Sequence, residues 1–395
     1  MRSNYKRLGD YIEPCGEKND DNIIKRLRGI SNQKYFQKAK TNTIGIDLSK
    51  YRIVRTGQFA FNRATTRNGD KISIALNQDE DCIVSPSYRI FKSKDESILN
   101  SEYLMMWFRR PEFDRYARFM SHGSAHEFFD YGEMCEVKLP VPYIEKQREI
   151  VAEYNTVVNR IKLNEQLNQK LEETAQAIYR HWFVDFQFPN ENGQPYKSSG
   201  GKMAWNEELK KDVPEGWEVK EYEQLFDFKT GKLNSNAALE NGKYPFFTCS
   251  SETFKTDSYS FDCEALILAG NNARAVYPFK FFDGKFDAYQ RTYVITPMEQ
   301  AISIYQGYFE ILNQLEAFKG TSSGTATKFL TMKILNPLTA LTPVKRVSKL
   351  FDEICNPIFT RMMLNEKSME QYRTLASILL SRMTQVETEK EREVV

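Results

Sequence analysis

Shifted against itself by 201 residues, the chain matches over a long stretch without a gap. SHGSAHEFFDYGEMCEVKLPVPYIEKQREIVAEYNTVVNRIKLNEQ lies over SSGTATKFLTMKILNPLTALTPVKRVSKLFDEICNPIFTRMMLNEK. Identities include Ser121/Ser322, Gly123/Gly324, Ala125/Ala326, Phe128/Phe329 and Pro142/Pro343. They continue through Asn155/Asn356, Arg160/Arg361, Leu163/Leu364, Asn164/Asn365, Glu165/Glu366 and Ala175/Ala376. An ungapped run of this length marks a duplicated unit, so the fold must be built twice.

Each copy has the same order. Short strand-like runs come first, among them GQFAFNRA, DCIVSPSYRIF, CEALILAG and AYQRTYVITP, rich in β-branched and aromatic residues. A proline boundary follows, at Pro140 and Pro142 in one copy and Pro343 in the other. A helical pattern of roughly 40 residues comes next, far above the usual helix length.

The helical patterns carry an apolar seam in steps of four and three. The first runs Ile150, Tyr154, Val157, Ile161, Asn164, Asn168, Leu171, Ala175, Ile178, Trp182. Its mates are Phe351, Cys355, Ile358, Met362, Asn365, Met369, Tyr372, Ala376, Leu379, Met383. Two matched stripes bury each other best as a coiled coil, and antiparallel pairing is expected because parallel pairing would crowd both globular parts at one end. Each seam is about 50 Å long at about 1.5 Å per residue. Asn164 and Asn365, near the seam midpoints, are expected to meet, because a polar seam residue needs a partner. Asn168, whose mate is Met369, is expected at the interface edge. Pro357 falls inside the second pattern, where a kink or a broken first turn is expected. Between the copies, FQFPNENGQPYKSSGGKMAWNEELKKDVPEGW reads as an ordered connector.

Composition narrows the class. No window approaches 18 apolar residues, so no membrane partner is expected, and the N-terminus MRSNYKRLGDYIEP lacks the apolar stretch of a signal peptide. A cytoplasmic location is the expectation. Cys15, Cys82, Cys135, Cys249, Cys263 and Cys355 form no Cys-x-x-Cys pair, so free thiols are expected. Net charge is +2 overall. Residues 1–143 hold 24 Lys+Arg against 19 Asp+Glu, and residues 218–343 hold 12 against 14. A DNA-binding role would therefore lean on partners for phosphate attraction.

No enzyme motif stands out. Asn336-Pro337 and Asn356-Pro357 are each followed by an aliphatic residue, so neither is an adenine methyltransferase loop. Gly200-Gly201-Lys202 lacks phosphate-loop spacing. His122 and His126 have only the distant His181 as a third histidine, so no metal site is expected. Glu136-Val137-Lys138 is too common a triplet to mark a nuclease. The catalytic set is expected to be empty.

The stretch IYRHWFVDFQFP…GQPYKSSGGKMAWNEELKKDVPEGWEV resembles the central conserved region of Type I restriction–modification specificity subunits. The paired segments GSAHEFFDYGEMCEVKLPVPYIEKQREIV and SSGTATKFLTMKILNPLTALTPVKRVSKL resemble the ends of that family's two target-recognition domains. AGNNARAVYPFKFFDGKFDAYQRTYVI resembles the β-rich interior of one. The second copy departs from the family's P-x-x-E-Q-R/K helix start, reading TPVKRVSKL, which leaves its helix-end contacts open.

The resemblance implies an α+β fold: two pseudo-symmetric α/β target-recognition domains separated by an antiparallel coiled coil of two long helices. The divisions are a first recognition domain at 1–143, spacer helix 144–185, connector 186–217, second recognition domain 218–343, spacer helix 344–385 and a charged tail at 386–395. It implies a non-catalytic subunit that reads a split double-stranded DNA site, with two methyltransferase subunits and restriction subunits as partners. S-adenosylmethionine, ATP and Mg would be used by those partners, and no cofactor would be bound by this chain. The alternatives are the recognition part of another two-part restriction–methylation enzyme and a coiled-coil adaptor without a nucleic-acid role.

Base edges are read by Arg, Lys, Asn, Gln, Ser or Thr presented from a firm scaffold. In the first copy Asn62, Arg63, Thr65, Thr66, Arg67 and Lys71 follow a strand-like run, and Ser87 and Arg89 flank the next. In the second, Asn271, Asn272 and Arg274 follow LILA, and Gln290 and Arg291 precede TYVI. Ser124 and His126, and Thr325, Thr327 and Lys328, lie in the matched loops as phosphate-contact candidates. Tyr88 and Tyr289 read as core or hinge aromatics.

Overall fold

The computed structural model describes residues 5–39, 45, 47–64, 71–121, 127–272, 277–298, 302–321 and 328–385. The chain divides into two compact units, one of Met1–Leu163 with Ser368–Val395, the other of Asn164–Lys367. The division falls near the middle of both long helices.

The first unit holds a four-stranded antiparallel sheet in the order Ile12–Cys15, Tyr88–Ser93, Phe59–Asn62, Ile74–Leu76. Its inner strand reads Phe-Ala-Phe-Asn, with the first three side chains buried and Asn62 emerging. Phe59 stacks on Phe91 at 4.8 Å, and Phe108 closes on both edge-on. Two helices cover the sheet. Asn100 caps Ser101–Arg109 by accepting the Tyr103 N–H, and Pro111 opens Pro111–Phe119, where its missing donor is harmless.

The second unit repeats the plan on a larger scale. Its six-stranded sheet begins with the same three-strand core, Phe226–Thr230, Thr292–Pro297 and Phe261–Ala269, and continues through Phe279–Ala288, Tyr244–Phe247 and Thr253–Thr256. The helix Ile304–Thr321 covers it. In both units a short helix, Tyr131–Cys135 or Met332–Leu335, leads to a strand, Lys138–Pro140 or Thr339–Thr342. Each strand pairs antiparallel with an early strand of its own unit, Tyr5–Arg7 or Glu218–Glu221, and then opens into a long helix.

The long helices are Ile144–Tyr179, extended by a wider turn over Arg180–Val184, and Lys345–Arg382. All twenty seam positions are buried or half-buried. Within the second unit Trp182 meets Phe351 at 5.7 Å while Asn365 bonds Asn168 at 2.7 Å. Fourteen residues back along one helix is fourteen forward along the other, so the pair is antiparallel. Within the first unit Ile150, Tyr154 and Val157 share a core with Tyr372, Ala376, Leu379 and Met383.

Three expectations are corrected here. The partner of Asn365 is Asn168, not Asn164: Asn365 Nδ2 donates to Asn168 Oδ1, and Asn168 Nδ2 reaches the Met362 carbonyl and Glu366, both at 3.2 Å. Asn168 is thus an interface member and not an edge residue. The helix also runs through Pro357 without the broken turn, and the ring lies on the exposed face, away from the packed seam.

The helix starts are anchored differently in the two units. Gln147 is fully buried; its Nε2 donates to the carbonyls of Ile98 (2.8 Å) and Pro142 (2.7 Å), and its Oε1 accepts the Asn100 N–H. The second repeat has Ser348 at that place. There Gln306, from the covering helix, donates to the Leu341 carbonyl at 2.9 Å, and Ser303 bonds Asp352. The connector packs as an ordered segment, with Phe188 between Tyr196 (4.5 Å) and Trp217 (5.1 Å). Gly201 lies so close that an added Cβ would stand 2.4 Å from the Tyr196 ring.

One buried carboxyl makes the second unit sensitive to pH. Burial pushes Glu310 up to about 7, against hydrogen bonds from Gln306 and Tyr179 and the nearby charge of Lys211. An unfolded glutamate titrates near 4.3. Between those values the folded chain binds more protons, so stability should fall as pH rises from about 4.5 to about 7. Burial also raises the Glu264 and Asp352 carboxyls, so melting temperature followed across that window should lose part of this slope in Glu310→Gln; an unchanged slope would assign the effect elsewhere.

Candidate nucleic-acid interface

In the first unit the inner strand leaves the core at Asn62, whose Oδ1 turns the chain by accepting the Ala64 N–H at 3.1 Å. The Arg63 carbonyl accepts the Phe129 N–H at 2.9 Å, and Ala64 bridges to Phe128. This brings Asp130 beside two arginines. Arg63 Nη1 lies 3.2 Å from Asp130 Oδ2, and Arg89 Nε lies 2.9 Å from Oδ1. Asp130 also accepts the Tyr131 N–H at 2.9 Å, completing a capping box with Glu133. Partial burial raises its pKa, but the Arg89, Tyr131 and Arg63 bonds outweigh it and hold the carboxyl below its usual range. The Arg63 guanidinium stands 4.7 Å over the Phe128 ring.

The second unit has the matching corner. The buried run Ala265–Ala269 ends at Gly270, which donates to the Arg291 carbonyl at 2.8 Å and accepts the Leu330 N–H at 2.9 Å. A Cβ on Gly270 would sit 2.6 Å from the Arg291 carbonyl oxygen, so only glycine admits this approach. Asn271 pairs with Phe329 and Asn272 with Lys328. Tyr293 donates its hydroxyl to the Leu330 carbonyl at 2.8 Å. Arg291 is exposed, with its guanidinium 5.8 Å over Phe329.

Residues 11–173 and 214–345 match the model of the Type I restriction modification DNA specificity domain, well over half of the chain. The chain belongs to this specificity family. It is 45% identical over 86 residues to the Type I restriction enzyme EcoDI specificity subunit of Escherichia coli. It is 30% identical over 151 residues to the MjaIX specificity subunit of Methanocaldococcus jannaschii. Those matches cover 22% and 37% of this chain and only 19% and 32% of the two relatives. The crystal structure of the Type I S subunit from M. genitalium superposes with a TM-score of 0.56 at 14% identity, over 96% of this chain and 95% of that one, a likeness of fold alone.

Among the candidates of this specificity chain, Asn62, Arg63 and Arg89 gather at one corner, and Asn271, Gln290 and Arg291 at the corresponding one. Ser87 lies on the loop before Tyr88, hydroxyl to hydroxyl with Ser85 at 3.2 Å, and Lys71 is exposed. Tyr88 is half-buried, its hydroxyl facing the Ile30 N–H at 3.5 Å. Thr65, Thr66, Arg67, Ser124, His126, Arg274, Thr325 and Thr327 lie outside the described residues. Asn272 and Lys328 lie on described strands, but their side chains are outside the described set. Three members escaped sequence reasoning: Asp130, Phe128 and Phe329. The last two stood in plain view as a repeat identity, but nothing local says that a phenylalanine will carry a cation. No helix among the described residues is long and apolar enough to cross a membrane.

Proposed function

We propose that this chain is the non-catalytic DNA reader of a Type I restriction–modification complex. Each unit reads one half of a split site in double-stranded DNA, and the paired helices set the spacing. Two methyltransferase subunits carry out N6-adenine methylation with S-adenosylmethionine, and restriction subunits add ATP- and Mg-dependent cleavage. The observation that carries this reading is the duplicated corner at which a buried strand ends, with Arg63 and Arg89 in one unit and Arg291 in the other, in a chain of the specificity family. Rigid strand ends with clustered arginines suit base-edge recognition. A duplicated chain offers two similar docking surfaces, which favours two methyltransferases per chain.

Methylome sequencing of cells with and without the chain tests this directly, and a bipartite adenine motif should disappear with it. Recognition should also be modular. Arg89→Ala should relax one half-site and Arg291→Ala the other, each by about 1–3 kcal/mol of discrimination. A first-unit substitution that altered the half-site assigned to the second unit would overturn the modular reading.

A further inference from the structure

Phe128 and Phe329 are 201 residues apart and hold the same place in the two repeats. The residue after each donates its N–H to the end of the inner strand, to Arg63 in one unit and Gly270 in the other, at 2.9 Å in both. Each ring carries an arginine guanidinium, Arg63 at 4.7 Å and Arg291 at 5.8 Å.

The two arginines do not correspond. Arg63 sits where the second unit has Gly270. Strand register pairs Asn62 with Tyr88 and Ala269 with Thr292, so Arg291 sits where the first unit has Ser87. One cation comes from the end of the inner strand, the other from the start of the neighbouring strand. The ring is thus common to both units while the source of the cation differs. Neither ring is fully buried: Phe329 is 50% exposed and Phe128 half-buried.

A guanidinium stacks through its face and hydrogen-bonds through its edge, so a ring beneath it leaves the in-plane donors aimed outward. Stacking also removes rotamer freedom before a ligand arrives. In the first unit Asp130 adds a second restraint through Arg63 Nη1. A guanidinium held face-on over such a ring presents a donor pair matched to O6 and N7 of guanine in the major groove.

We propose that Phe128 and Phe329 are positioning residues that hold Arg63 and Arg291 to read one guanine in each half-site. This rests on the reading of the chain as a DNA reader. The full chain, assembled with its methyltransferase subunits, would select duplexes from a library with randomised sites, and the selected pool would be sequenced. Arg63→Ala and Arg291→Ala should each lower preference for guanine at a single position by about 5- to 150-fold. Phe128→Leu and Phe329→Leu, which keep an apolar side chain but no π face, should lower it at those same positions by about 2- to 5-fold. Phe128→Trp and Phe329→Trp should restore it. Leucine variants that weaken all positions evenly, or tryptophan variants no better than leucine, would overturn the proposal and leave the rings structural. Arginine variants that change another base, or none, would overturn the guanine assignment. If the unsubstituted assembly selects no split site, the DNA-reader reading itself falls, an outcome distinct from these.

Discussion

Alanine at Lys34 should destabilise the first unit by about 3–5 kcal/mol, the range found when one partner of a buried ion pair is removed. Lys34 Nζ lies 2.7 Å from Asp114 Oδ1, and the side chains are only 5% and 10% exposed. The ammonium also donates to the Phe108 carbonyl, and Asp114 Oδ1 accepts the Ile72 N–H at 3.1 Å. Lys34 itself sits at φ 64, inside the turn that joins Arg28–Ile30 to Phe36–Lys38. The pair therefore ties that hairpin to the second covering helix and to the strand beginning near Ile72. Desolvation pulls the lysine pKa down, so the environment already resists its charge. Without the ammonium, the carboxylate stays buried with little compensation. A double change, Lys34→Met with Asp114→Asn, removes both charges and keeps an acceptor for Ile72. Urea unfolding should show a much smaller loss for the pair than for Lys34→Ala; equal losses would mean that packing, not charge, sets the effect.

Phe351→Ala should cost the second unit a similar amount, about 3–5 kcal/mol, through the cavity it leaves. The ring is completely buried where the start of the second long helix meets the end of the first. Phe183 approaches it edge-on at 4.9 Å and Trp182 at 5.7 Å, with Cys355 in the same core. Against a total stability of 5–15 kcal/mol for typical domains, either substitution is large. Phe351→Leu fills most of the void and should recover most of the loss. Trp182 and Phe183 should report the change in near-ultraviolet circular dichroism at lower denaturant in the alanine variant. A loss below about 1 kcal/mol would show that neighbours collapse into the space.

Much of the architecture was legible because it is written as periodicity. The 201-residue offset, the four-three seam from Ile150 to Trp182 and its mate from Phe351 to Met383 depend only on residue spacing, and every seam position is buried or half-buried. Arg63, Arg89 and Arg291 were legible as polar residues beside strand ends. Their partners were not, since Asp130 and Phe128 are brought to Arg63 across more than sixty residues by strand pairing.

The sequence alone determined the duplication, the long helices, the connector and the family resemblance, because each rests on spacing or composition within a segment. Tertiary structure alone decided which partners meet. Asn365 bonds Asn168 and not its repeat-mate, an outcome of the helix stagger seen within the second unit. With Trp182 opposite Phe351, the centre of the repeat falls between Asn164 and Asn168, so Asn365 faces a residue one turn from its repeat-mate. Pro357 is tolerated on the exposed face, where Glu353, whose carbonyl loses its bond, is also exposed to water, a position that depends on how the helix is rotated in its pair. Which arginine stacks on each phenylalanine likewise depends on strand register, a long-range property with no signature in local sequence.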